Sequence, residues 1–157
     1  MKKLISVLRV LSVVVLIIVA SCKKDSNILT ASMTAKINLN AWDASLRVTV
    51  LQGGNFIITG TSLTGEIIEI TTYGSAQGTY ILQTLPPIVQ FTALYKENAT
   101  VLDQNAFAAT SGQVFISKID ATEKKISGTF NFDARDLGLN TVSITQGTFT
   151  DLIYTEN

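Results

Sequence analysis

Residues 113–132 read QVFISKIDATEKKISGTFNF, and this stretch decides the fold. In its second half Ile126, Gly128, Phe130 and Phe132 occupy every other position, with Ser127, Thr129 and Asn131 between them. Side chains alternate across a strand, so one face is apolar and the other wet, as in a half-buried antiparallel strand. QVFISKI carries the same period. Between the two halves Asp120–Lys124 is polar and opens on an aspartate, whose carboxylate can accept turn amides. The stretch is a β-hairpin. A metal pair at Asp120 and Glu123 is the sharper reading of that turn, and a solvated turn is the expected one.

Working outward, period two recurs and no window holds a helical period for three turns. AKINLN sets Ala35, Ile37 and Leu39 on one face, and LRVTV does so with Leu46, Val48 and Val50. NFIITGT follows Gly53-Gly54-Asn55, EIIEITTY follows Thr64-Gly65, and GTYIL and IVQFTALY come next. NTVSIT and GTFTDLIY close the chain. Short connections between about ten strands predict an all-β domain, an antiparallel β-sandwich of about 8–10 strands. A calycin-like up-and-down β-barrel shares the same alternation and stays open. Pro86-Pro87 reads as a rigid connector or a protected edge. Gly-Thr occurs at Gly60, Gly78, Gly128 and Gly147, against roughly one occurrence expected by chance. The order of the flanking strands suggests two four-strand half-repeats, about 46–84 and 112–154.

The amino-terminal segment has a different chemistry. Lys2 and Lys3 precede an apolar run from Leu4 to Ala20, broken by Arg9, which is the pattern of an export signal. The run ends in Val19-Ala20-Ser21-Cys22, and Cys22 is the chain's one cysteine. This segment resembles the bacterial lipobox. The resemblance implies a signal peptide over 1–21, a diacylglyceryl group on the Cys22 thiol and an acyl group on the new amino terminus. One acyl chain binds marginally, at roughly 0.8 kcal/mol per buried methylene, whereas two or three anchor stably. Residues 22–32 then form a lipidated tether and 33–157 a single domain. Lys23 after the cysteine favours the outer membrane over inner-membrane retention, with the periplasmic face or cell surface left open.

Composition narrows the chemistry. Without Lys2, Lys3 and Arg9 the mature chain holds 9 basic and 12 acidic residues. Such a mildly acidic chain with no basic cluster is not a nucleic-acid binder. Histidine is absent, which removes the commonest general base and zinc ligand. With Cys22 assigned to lipid, thiolate chemistry goes as well. Glu66 and Glu69, three apart in a strand, point to opposite faces and do not cooperate as a glycosidase pair. Asp133 and Asp136 are weak calcium candidates, better read as turn residues unless Asp103 converges on them. No catalytic residue and no cofactor beyond the lipid is expected.

At MTAKINLNAWDAS, KIDATEKKISGTFNF and VSITQGTFTDLIY the chain is similar to small Bacteroidota lipoproteins that carry a β-rich domain of unknown function. The resemblance covers most of residues 33–154 and departs at Leu39, where glycine is usual. It implies a β fold and no activity. Trp42, within it, is either an exposed platform for sugar rings or a plug over one end of the core with its N–H bonded. The plug is expected. The function that emerges is a membrane-anchored, non-catalytic binding or assembly module of the envelope, meeting a protein or glycan partner. A carrier of a small apolar ligand is the alternative, and a hard-metal-dependent enzyme the third reading.

Overall fold

A computed structural model describes residues 31–82, 92–98 and 106–157. The leader, the lipobox and nearly all of the tether lie outside the described residues, as do Pro86-Pro87 and Asp103. The ten strands are β1 (Ser32–Ile37), β2 (Asn40–Asp43), β3 (Leu46–Gln52), β4 (Asn55–Thr61), β5 (Ile67–Thr71), β6 (Gly78–Ile81), β7 (Ala93–Lys96), β8 (Ala106–Asp120), β9 (Lys125–Arg135) and β10 (Thr141–Glu156). The expected all-β antiparallel architecture is present. All ten strands join one hydrogen-bonded sheet, and its pairings return on themselves as β10-β3-β4-β5-β7-β8-β9-β10. Among the described residues only the β10–β3 contact, Tyr154–Glu156 against Thr49–Leu51, is parallel.

The hairpin β8–β9 forms as its alternation dictates, with Ile126, Phe130 and Phe132 buried and the intervening residues facing out. Asp120 Oδ1 accepts the backbone N–H of Thr122 at 3.1 Å and of Glu123 at 2.9 Å, closing the turn. Two long strands shape the ring by changing partners. β8 pairs β7 through Ala106–Ala108 and β6 through Gln113–Ile116, bending at Gly112 between the two. β10 pairs β1 along its first half and β3 at its end.

The core fills the ring. Phe56 meets Tyr154 edge-on at 5.2 Å between centroids. Phe130 lies over Gly147 and Phe149 over Gly128, each a direct cross-strand partner, and the two rings stack 6.4 Å apart. A Cβ on either glycine would stand 2.5 Å from a ring carbon. Three glycines of the four Gly-Thr pairs, Gly60, Gly128 and Gly147, thus make room for side chains packed on the inner face; Gly78 lies in open space.

Three strand readings are corrected. AKINLN is a hairpin: Ala35 and Ile37 face the core as expected, whereas Leu39 lies in the turn before β2. NTVSIT and GTFTDLIY are one strand, because bulges at Gln146 and Asp151, both at positive φ, absorb the phase change between them. In β3 the phase is inverted. Leu46 and Val48 are exposed, and Thr49 is the residue buried. Thr49 Oγ1 has no hydrogen-bond partner among the described residues. An unpaired buried hydroxyl costs about 1–3 kcal/mol, so Thr49→Val, of similar shape, is expected to stabilise by about 1–2 kcal/mol. A rise in the urea midpoint at unchanged slope checks this; a fall would mean the hydroxyl has a partner.

Candidate functional site

The strand registers sort the turns between the two ends of the ring. Thr61 pairs Ile67, Ile67 pairs Lys96, Lys96 pairs Ala106, and Arg135 pairs both Ala108 and Thr141. Ile37 pairs Ile144 on the same level. The turns 38–39, 62–66 and 136–140 therefore share one end with Glu97. Gln52–Asn55 and Asp120–Lys124 close the other.

At the first end a cleft of about 340 Å³ opens between these turns. Ile37, Phe107 and Val142 give it an apolar floor, while Asn38, Glu97, Asp136 and Asn140 supply polar walls. Tyr95 also lines it, packed 5.8 Å from Phe107 and donating its hydroxyl to Glu66 Oε1 at 3.0 Å. Burial, and then the Glu66 hydrogen bond, push the Tyr95 phenol well above the usual tyrosine range. Glu66 also accepts from Thr64 Oγ1 at 2.9 Å and Ser62 Oγ at 3.3 Å, so three hydroxyls hold its carboxylate. Opposite, Asp136 accepts the Asn140 side-chain amide at 2.7 Å and its backbone N–H at 2.8 Å. The side-chain amide is the main reason that the Asp136 carboxyl titrates below its ordinary range.

The turns carry another feature. Leu39, Leu63, Leu137 and Leu139 are 81, 93, 95 and 71% exposed, and Leu46, also exposed, starts β3 at the same end. Every exposed large leucine among the described residues is here. Two sit in the left-handed region, Leu39 at φ 72° and Leu139 at φ 68°. Asn38-Leu39 fills a two-residue hairpin turn, with both residues at positive φ, where Asn-Gly is the favoured pair. Asn38 suits it, its side-chain oxygen accepting the Ser143 N–H at 3.0 Å. Leucine there costs about 1–2 kcal/mol that glycine avoids.

The residues singled out in the sequence are placed apart. Trp42 is 4% exposed, so it is no stacking platform; its indole covers Gly60 beside Met33 and Ala44. Its Nε1–H, expected to be bonded, has no partner among the described residues. Asp133 faces outward from β9, 3.5 Å from Ser111 Oγ, whereas Asp136 is committed to Asn140. Among the described residues no group of three or more His, Cys, Asp or Glu side chains is placed to hold a metal ion.

A model of a domain of unknown function (DUF6252) matches residues 29–152. The chain belongs to this family. No curated protein and no solved structure gives a significant match. The DUF6252 match runs from before β1 into β10, so all the leucine-bearing turns lie within it. Sequence reading placed turns at Thr64-Gly65 and around Asp136 but missed the one at Asn38-Leu39, and it singled out none of these leucines, although a signal was present. In NLN, SLTG and DLGLN, leucine sits among asparagine, serine, aspartate and glycine, residues that mark turns, where it has no core to enter.

Proposed function

We infer that this DUF6252 chain is a Bacteroidota lipoprotein, held to the outer membrane through acylated Cys22, and that it acts as a non-catalytic binding or assembly module of the envelope. The observation that carries the module reading is the filled interior. A carrier keeps space inside, but here Phe56, Phe130, Phe132 and Phe149 occupy the ring, and extra atoms on Gly60, Gly128 or Gly147 would overlap them or their neighbours. What the domain recognises therefore meets its outer surface. The anchor rests on Val19-Ala20-Ser21-Cys22 following the charged and apolar leader.

Membrane fractionation of cells making Cys22→Ala tests the anchor. The expected result is an unprocessed precursor or a soluble chain, with no acylated form in the outer-membrane fraction. A cleaved Cys22→Ala chain that still fractionates with the membrane would overturn it.

A further inference from the structure

We propose that the outer face of the sheet around Phe115 binds a neutral glycan, with the phenylalanine ring stacked on one sugar ring. The proposal deepens the binding-module reading and rests on it, because the filled interior leaves recognition to the outer surface. It does not depend on the lipid anchor.

Phe115 is the one exposed phenylalanine among the described residues, at 43%, whereas Phe56, Phe107, Phe130, Phe132 and Phe149 are buried. It lies within β8, paired on one side with Thr79 of β6 and on the other with Thr129 of β9, so its backbone is held from both edges. Gln113, two residues before it, faces the same way and pairs with Ile81 and Asn131. Neighbours on one face stand about 7 Å apart along a strand and about 5 Å apart across strands. These side chains therefore cover an area comparable to one or two hexose rings. Paired strands hold such a set in register before any ligand arrives, which lowers the ordering cost of binding.

Two observations select the occupant. The first is unused hydrogen-bonding capacity. Elsewhere on the outer face of β8 and β9 the serines are engaged: Ser111 donates to Asp133, Ser117 to the Ser127 carbonyl oxygen and Ser127 to Asp151. Around Phe115 the side chains of Thr79, Gln113, Thr129 and Asn131 make no hydrogen bond among the described residues. Amides and hydroxyls both donate and accept, which suits the hydroxyls radiating from a sugar whose C–H face rests on an aromatic ring.

The second is charge. None of these side chains is charged, and along β8 and β9 the uncharged area is bounded by Lys118 and Lys125 towards one end and by Asp133 towards the other. A neutral area recruits neither phosphates nor an anionic lipid surface. Its apolar part, Phe115 and Ile81, is too small for the water-excluded core of a protein interface.

The test measures binding of the full chain, extracted in mild detergent, to immobilised neutral polysaccharides: a β-glucan, an α-glucan, a mannan and a xylan. Anionic polygalacturonate is the control. The expected result is binding to at least one neutral polysaccharide that persists at about 0.5 M salt, where charge pairing is screened. Phe115→Ala should lower that affinity about tenfold, and Gln113→Ala and Asn131→Ala about threefold each. Phe115→Trp should retain it. The outward position of Phe115 predicts a melting temperature within about 3 °C for Phe115→Ala, so the loss reads the site and not the fold. Binding to none of the neutral polysaccharides, binding to polygalacturonate alone, or a Phe115→Ala chain that binds as well as the unaltered one would each overturn the proposal. The last of these outcomes would leave the module reading standing with its surface elsewhere. Fractionation of Cys22→Ala reads the anchor separately.

Discussion

Gly112→Ala is expected to remove a large part of the domain's stability. Gly112 has φ 141°, which L side chains rarely adopt, and it sits where β8 leaves β7 for β6. Its carbonyl oxygen accepts the Leu82 N–H at 2.9 Å, tying the segment after β6 to the bend. A Cβ there would stand 2.3 Å from the Asn131 carbonyl oxygen and 2.5 Å from Phe132 Cα. Both are backbone atoms of β9, so no rotamer change relieves the overlap. The strained φ costs about 1–3 kcal/mol and the overlap about 1–3 kcal/mol or more, together a large part of the roughly 5–15 kcal/mol typical of a domain. Urea unfolding followed by the fluorescence of Trp42, the single tryptophan and a buried one, reads the result. The midpoint should fall by about 2 M. A change below about 0.5 M would mean that β8 does not pass β9 this closely.

That bend marks how far alternation can be read. Period two identifies a strand and its two faces, and for β4, β9 and most of β5 the inward residues follow directly from it. It cannot say which face is inward when both carry apolar residues. LRVTVLQ alternates Leu46, Val48 and Val50 against Thr49 and Leu51, and hydrophobicity favours the wrong set. Thr49 is inward because β3 is held in phase by neighbours on both sides, Ile58 on β4 and Tyr154 on β10. Register overrides composition here, because a one-residue slip would turn every side chain of the strand over.

Bulges are the second blind spot. Gln146 and Asp151 each insert a residue that leaves the pleat, so one strand of 16 residues reads as two shorter ones. The missed β1–β2 hairpin restores the strand count to ten by accident, since Leu39 occupies a position where glycine would have announced the turn. The candidate site was hidden for the same reason. Leu39 continues the apolar alternation of AKINLN on paper, and only its positive φ and the pairing of Ile37 with Ile144 move it to the end of the ring.

Trp42 was legible as a core residue, and its packing gives the second large effect. Gly60→Ala is expected to cost about 2–3 kcal/mol. The new Cβ would stand 2.7 Å from both Met33 Sδ and Trp42 Cη2, and 3.1 Å from the Ala44 Cβ. The Met33 side chain can swing aside. The rigid indole cannot, because β2 is pinned to β1 by the pairing of Trp42 with Ala35. Trp42→Phe removes the ring atoms that cause the overlap and deletes the unpartnered Nε1–H, whose burial costs about 1–3 kcal/mol. The smaller ring leaves a void that offsets that gain, so the single change should be nearly neutral. The double variant should recover about 1–2 kcal/mol relative to the sum of the single changes, the coupling expected of side chains in contact. Far-UV circular dichroism during urea unfolding measures all four corners of the cycle, since Trp42→Phe removes the fluorescent probe. Effects additive within about 0.5 kcal/mol would place the indole away from Gly60. Coupling of the predicted size would place the indole against Gly60, closing the core beside β4.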